Sequence, residues 1–207
     1  DRPRTRGALT HAMWRRIPVL LSTLADDPNV RVVIVRGTEG NFIAGADIGE
    51  FRQMRANPAL AREYDEGANA TLATLADLRV PSIAMIDGAC MGGGCLIAFG
   101  CDLRVASERS RMGIPAGRLG LAYPYDGLER LVALLGEART LELILTGRTF
   151  DGREAERKGL VQACYPHDAL EAETHRLAAD VSANAPLALR YTRRAARRAL
   201  PARIDRR

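Results

Sequence analysis

Three short runs in this chain are largely apolar, each with one polar residue (Arg31, Ser82, Arg104): residues 30–35, which are also rich in β-branched residues, 82–86 and 103–106. A strand covered on both faces reads this way, and such strands belong to parallel sheets packed between helices. Helical spacing fills the intervals. Leu9, Met13, Ile17, Leu20 and Leu24 place a helix over 8–25, which Asp26-Asp27-Pro28-Asn29 stops. Leu60, Tyr64, Ala68, Leu72, Leu75 and Leu78 place another over 59–78. Further helices are expected at 95–100, 127–136, 138–146, 152–159, 168–183 and 186–200, with a short strand at 160–164. Alternation of this kind predicts an α/β fold with largely parallel strands.

Composition narrows the class. A chain of 207 residues suits one domain with at most a small appendage. No apolar run approaches the roughly 20 residues that span a bilayer, and no charged-then-apolar leader is visible, so a cytoplasmic location is expected. Cys90, Cys95, Cys101 and Cys164 form no C-x-x-C pair and read as reduced, buried thiols. His11, His167 and His175 have no metal-ligand spacing, and no metal is expected. The net charge of +5 is concentrated near the end, in Arg190, Arg193, Arg194, Arg197, Arg198, Arg203, Arg206 and Arg207. Such a helix could meet nucleic acid or anionic lipid. No aromatic residues interleave to stack on bases, and a solvated or subunit-facing surface is the simpler expectation.

Chemistry concentrates in two glycine-bearing segments that follow the first two strands: Phe42-Ile43-Ala44-Gly45-Ala46-Asp47-Ile48 and Gly88-Ala89-Cys90-Met91-Gly92-Gly93-Gly94-Cys95. Three consecutive glycines let backbone approach a ligand closely. They also open a helix whose first N–H groups lack internal partners, at the positive end of its dipole. That suits a phosphate, another anion or an enolate oxygen. The Walker and dinucleotide patterns are absent. Tight helix–strand packing alone would equally explain the glycines.

Together the two segments resemble the crotonase (enoyl-CoA hydratase/isomerase) superfamily. The likeness includes Arg2-Pro3 with Ala8-Leu9, the run Val32 to Gly37, Pro81-Ser82-Ile83-Ala84-Met85-Ile86 with Gly88, and Cys101-Asp102-Leu103-Arg104. It continues through Leu145-Thr146-Gly147-Arg148 and Gly159-Leu160-Val161. The resemblance implies a spiral of ββα repeats carrying an acyl-CoA site over 1–165. A helical region over 166–207 would build trimers, often paired as hexamers. The chain looks short for the family at both ends. No cofactor is implied beyond the coenzyme A of the substrate. By motif position, the backbone N–H groups of Ala46 and Gly93 would form an oxyanion hole for the thioester carbonyl. Each such donor contributes about 10²–10³ in rate when aimed at developing charge. Ala44, Asp47 and Ile48 would line the CoA side, with Gly92, Leu96 and Ala116 also against the substrate. Arg4 falls where the family often places a basic residue near the CoA phosphates, though a solvated arginine is as good a reading. The family's lysine after the first motif is Gly49 here.

The departures are chemical. Two glutamates activate water in the family's hydratases; their positions hold Leu96 and Ala116, neither of which exchanges a proton. Acid–base help is worth roughly 10²–10⁴ per group. Asp126 is the candidate replacement, with Tyr123 and Tyr125 as hydrogen-bond donors. Asp126 would equally serve as the cap of a helix beginning near Gly127. Asp65 and Glu66 read as surface charges, as does His11. The expectation is an acyl-CoA-processing enzyme with a non-standard acid/base set. A binding protein without hydratase activity is the alternative, and RNA binding through the C-terminal arginines a weaker one.

Overall fold

A four-stranded parallel sheet forms the spine, in the order β1-β2-β4-β7. The computed structural model describes residues 2–123 and 125–199. In chain order the elements are α1 (His11–Asp26), β1 (Val33–Arg36), α2 (Ile48–Arg55), α3 (Pro58–Asp77), β2 (Ser82–Ile86), β3 (Ala89–Met91), α4 (Gly93–Gly100), β4 (Leu103–Ser107) and β5 (Arg111–Gly113). They continue with α5 (Tyr125–Leu135), α6 (Glu137–Leu145), β6 (Phe150–Asp151), α7 (Gly152–Arg157), β7 (Ala163–Tyr165), α8 (Leu170–Ser182) and α9 (Pro186–Ala199). A smaller sheet, β3-β5-β6, turns away from the spine at the Asp87-Gly88 corner.

Strand β2 shows why its sequence is apolar after Ser82. Its side chains alternate between faces. Ala84 and Ile86 enter the main core with Trp14, Phe42, Leu75, Ile97, Phe99 and Met112. Ile83 and Met85 enter a second cluster with Val105, beneath Leu170 and Leu177 of α8. Both faces are covered, so no polar position survives between Ile83 and Ile86.

Most expected elements are present, with shifted ends. The first helix starts at His11, not residue 8, because Leu9 pairs as a β-bridge with Ala46 and the Thr10 side chain caps the helix by accepting from Met13 N at 3.2 Å. The first strand begins at Val33, and the last strand is Ala163–Tyr165 instead of 160–164. Helix α5 starts at Tyr125, so Asp126 lies inside the first turn and is not the cap of a helix beginning at Gly127. Helix α2 and strands β3, β5 and β6 have no counterpart among the expected elements.

The C-terminal arginines divide by direction. Arg193 of α9 is buried and donates through Nε to both Asp102 oxygens at 2.7 Å, and through its terminal nitrogens to Leu75 O and Leu78 O. Arg197 donates to Asp102 at 2.8 Å and to Gly100 O at 2.9 Å. These two guanidiniums clamp α9 to the C-terminal ends of α3 and α4, where the helix dipole favours cations. The side chain of Arg198, and all of Arg203, Arg206 and Arg207, lie outside the described residues. Among the described residues no helix is long and apolar enough to cross a membrane.

Candidate active site

Three extended segments, far apart in sequence, lie side by side. Leu9 N donates to Gly45 O at 2.8 Å, and Asp47 N donates to Leu9 O at 2.9 Å. Ile43 N donates to Ala89 O at 2.9 Å, and Met91 N donates to Ile43 O at 2.9 Å. The frame continues into β5, since Gly92 N donates to Gly113 O at 2.9 Å. Ala46 and Gly93 are thereby pinned from both sides.

Close approach decides which residues can stand here. Gly45 has φ +104°, in the region that favours glycine, and a Cβ on it would stand 3.0 Å from Met91 O and 3.8 Å from Gly93 N. A Cβ on Gly94 would stand 2.1 Å from Ile43 O, so this position excludes every side chain. The two glycine segments expected to act together are therefore in contact. Their N–H groups differ from their neighbours'. Asp47 N and Gly92 N have protein acceptors, whereas Ala46 N and Gly93 N have none among the described residues. Gly93 is also the first residue of α4, which carries no side-chain cap. Its N–H thus stands at the positive end of an uncapped helix.

Trp14, the single tryptophan, lies against this point. A Cβ on Gly93 would stand 2.8 Å from Trp14 Cζ2. The indole is held by its Nε1, which donates to Tyr64 Oη at 2.9 Å. Burial pushes the Tyr64 phenol up to about 12, with the Trp14 hydrogen bond opposing in part. Tyr64 stacks on His11, ring centroids 6.1 Å apart. His11 is not the surface residue expected: its side chain is only 16% exposed, with Nε2 3.7 Å from Glu63 Oε1. Its backbone N–H donates to Glu50 Oε2 at 2.6 Å. The sequence hid this because His11 lies off the apolar face of α1 and is covered by α2 and α3, which meet only in three dimensions.

The other expected site residues fall as follows. Ala44 N donates to Arg6 O at 3.1 Å, which fixes the loop before Gly45. The Asp47 carboxylate caps α2 through Gly49 N and Glu50 N at 3.0 and 3.2 Å and pairs with Arg2 at 2.6 Å. The Arg2 hydrogen bond holds Asp47 below the usual carboxylate range. Ile48 is exposed, and Arg4 is exposed in a 3-10 turn, Pro3–Thr5. Leu96 is buried on α4, and Ala116 opens the 3-10 turn Ala116–Leu119, packed on the core. Gly127 brings Leu96 and Tyr123 together: a Cβ there would stand 2.7 Å from Leu96 Cδ2 and 2.8 Å from Tyr123 Cε1. Tyr125 is exposed, and the side chain of Asp126 lies outside the described residues. Asp65 pairs with Arg55 at 2.5 Å and Glu66 is exposed. All four cysteines are free and buried.

Known proteins resemble this chain in sequence and in fold. The enoyl-CoA hydratase/isomerase family matches residues 1–206. A probable enoyl-CoA hydratase of Mycobacterium bovis is 34% identical over 205 residues, covering 99% of this chain and 78% of the relative. A short-chain-enoyl-CoA hydratase of Clostridium acetobutylicum is 32% identical over 206 residues, again covering 99% and 78%. Among solved structures, an enoyl-CoA hydratase/carnithine racemase from Magnetospirillum magneticum superposes with TM-score 0.92 at 36% identity, covering 96% of this chain and 74% of that one. A family protein from Hyphomonas neptunium gives TM-score 0.94 at 33% identity, covering 100% and 79%. In sequence and in fold alike, the chain belongs to the enoyl-CoA hydratase/isomerase (crotonase) family.

Proposed function

We propose that this chain binds an acyl-CoA thioester with its carbonyl oxygen between Ala46 N–H and Gly93 N–H, and that it stabilises the enolate charge developing there. The supporting observation is that these two N–H groups lack acceptors among the described residues and sit on glycine segments in mutual contact. Fixed donors at the site of charge development need no reorganisation as the charge appears. Leu96 and Ala116 cannot hold or activate water, so fast hydration by the paired-glutamate route is not part of this reading. The acid–base step falls to a group such as Asp126, or is lost, leaving a binding protein.

Trp14 supplies the test, because its ring touches Gly93. Titration with crotonyl-CoA is expected to change the Trp14 fluorescence saturably, with hydration at least about 10²-fold slower than a paired-glutamate relative. Unchanged fluorescence together with no detectable binding would sink the thioester reading. Brisk hydration that survives Asp126→Asn would sink the acid–base assignment. The exposed apolar residues Leu141, Leu145, Leu187 and Tyr191 support self-association as a trimer or a dimer of trimers. Sedimentation as a monomer at micromolar concentration would overturn that part.

A further inference from the structure

Among the described residues, two buried side-chain polar atoms have no hydrogen-bond partner: His11 Nε2 and Tyr123 Oη. His11 Nε2 has Glu63 at 3.7 Å, an ion-pair partner once the ring is protonated. Tyr123 has nothing of the kind. Its ring lies against Gly127 beside Leu96. Besides burial, the titratable groups acting on its hydroxyl are the Cys95 and Cys90 thiols. The Cys95 thiol is committed elsewhere, donating to Cys90 O at 3.0 Å and to Gly113 O at 3.3 Å.

An unpaired buried hydroxyl destabilises the fold, and phenylalanine would fill the same space without that cost. The orphan therefore asks for a reason. Its placement supplies one. Tyr123 follows the 3-10 turn that Ala116 opens, and it shares the Gly127 contact with Leu96. By the family resemblance, Leu96 and Ala116 stand where two water-handling glutamates are expected. Two apolar side chains and one neutral hydroxyl then occupy the place of carboxylates. Burial holds the phenol well above its ordinary value, so it stays protonated at neutral pH and acts as a donor. A donor of this kind cannot take a proton from water, but it can hold an oxygen.

We propose that Tyr123 Oη is a specificity-determining donor that selects acyl-CoA thioesters bearing an acceptor oxygen on the acyl chain, as in 3-oxoacyl-CoA, over plain alkyl thioesters. The inference rests on the thioester reading above and adds the chemistry of the acyl group. Sites built to pair with a ligand oxygen reject analogues lacking it, because the buried donor is then left unpaired.

The experiment compares acetoacetyl-CoA with butyryl-CoA, which have the same carbon count, by calorimetric titration of the wild type and of Tyr123→Phe. The wild type is expected to bind acetoacetyl-CoA about ten-fold tighter or more. Tyr123→Phe is expected to lose that preference, to keep its affinity for butyryl-CoA, and to melt at or above the wild-type temperature. Equal affinities in the wild type, or a preference that persists in Tyr123→Phe, would overturn the proposal while leaving the thioester reading intact. Binding of neither thioester to the wild type would overturn both.

Discussion

Gly93 has a free N–H and no room for a side chain, and one contact accounts for the second property. A methyl group there would meet Trp14 Cζ2 at 2.8 Å, and the indole cannot retreat without breaking its hydrogen bond to Tyr64. Gly93→Ala is therefore expected to displace the ring and destabilise the fold by about 1–3 kcal/mol, as overpacking does. A shift of the tryptophan emission maximum in the unliganded variant checks the displacement, and urea unfolding checks the energy. Thioester affinity should fall with it, because the N–H moves with its helix turn. Neither Trp14 nor its role was legible beforehand: a tryptophan at a helical position reads as core. His11 escaped for the opposite reason, a polar residue off the apolar stripe that two later helices cover.

At the scale of elements, helix α9 shows how a basic pattern misleads. Its arginines look like one charged surface, but Arg193 and Arg197 turn inward to the single carboxylate of Asp102. Asp102 also accepts from Ser82 N at 2.9 Å and Ser82 Oγ at 3.0 Å, so one residue ties α9 to β2. Removing Arg193 would leave a buried carboxylate and two helix-end carbonyls short of donors. Arg193→Leu is expected to cost about 3–5 kcal/mol in urea unfolding. Arg193→Lys should recover little of it, since an ammonium lacks the planar fork that reaches three acceptors at once. Burial pushes the Asp102 carboxyl up, but the guanidiniums of Arg193 and Arg197 outweigh it and hold it below its ordinary value. Its contribution is fully present above the unfolded carboxylate value of about 4 and is lost as pH falls through the lower folded value. The stability gap between wild type and Asp102→Asn should therefore be widest near neutrality and narrow below about pH 4. A gap that stays constant to pH 2 or so would contradict the clamp.

For the molecule as a whole, the inward turn of Arg193 and Arg197 weakens the case for a nucleic-acid surface, since phosphate binding needs several accessible cations acting together. Single-stranded RNA is expected not to be retained in filter binding at about 150 mM salt. Retention with a steep salt dependence would restore that alternative. The sheet and its helices were largely readable in advance because their signals are local. Strand β2 matches residues 82–86 without adjustment, since burial on both faces leaves an apolar run from Ile83 to Ile86. Strands β3, β5 and β6 were not readable, being two or three residues long and carrying no period of their own. Helix α2 starts on a cap that Asp47 supplies, and at eight residues its three apolar side chains, Ile48, Phe51 and Met54, are too few to mark a helix by spacing.

The alternating α/β order, the two glycine segments and the family are legible along the chain, because each depends on residue type and spacing. Leu96 and Ala116, neither of which exchanges a proton, are legible there too. It takes folding to leave Ala46 N–H and Gly93 N–H without acceptors among the described residues while Asp47 N–H and Gly92 N–H are used. The same holds for Tyr123, whose hydroxyl is buried without a partner. The physical reason is common to these cases: whether a donor is satisfied depends on what the rest of the chain brings within about 3 Å of it. Those neighbours come from Leu9, Ile43, Ala89 and Gly113, segments that meet only after folding.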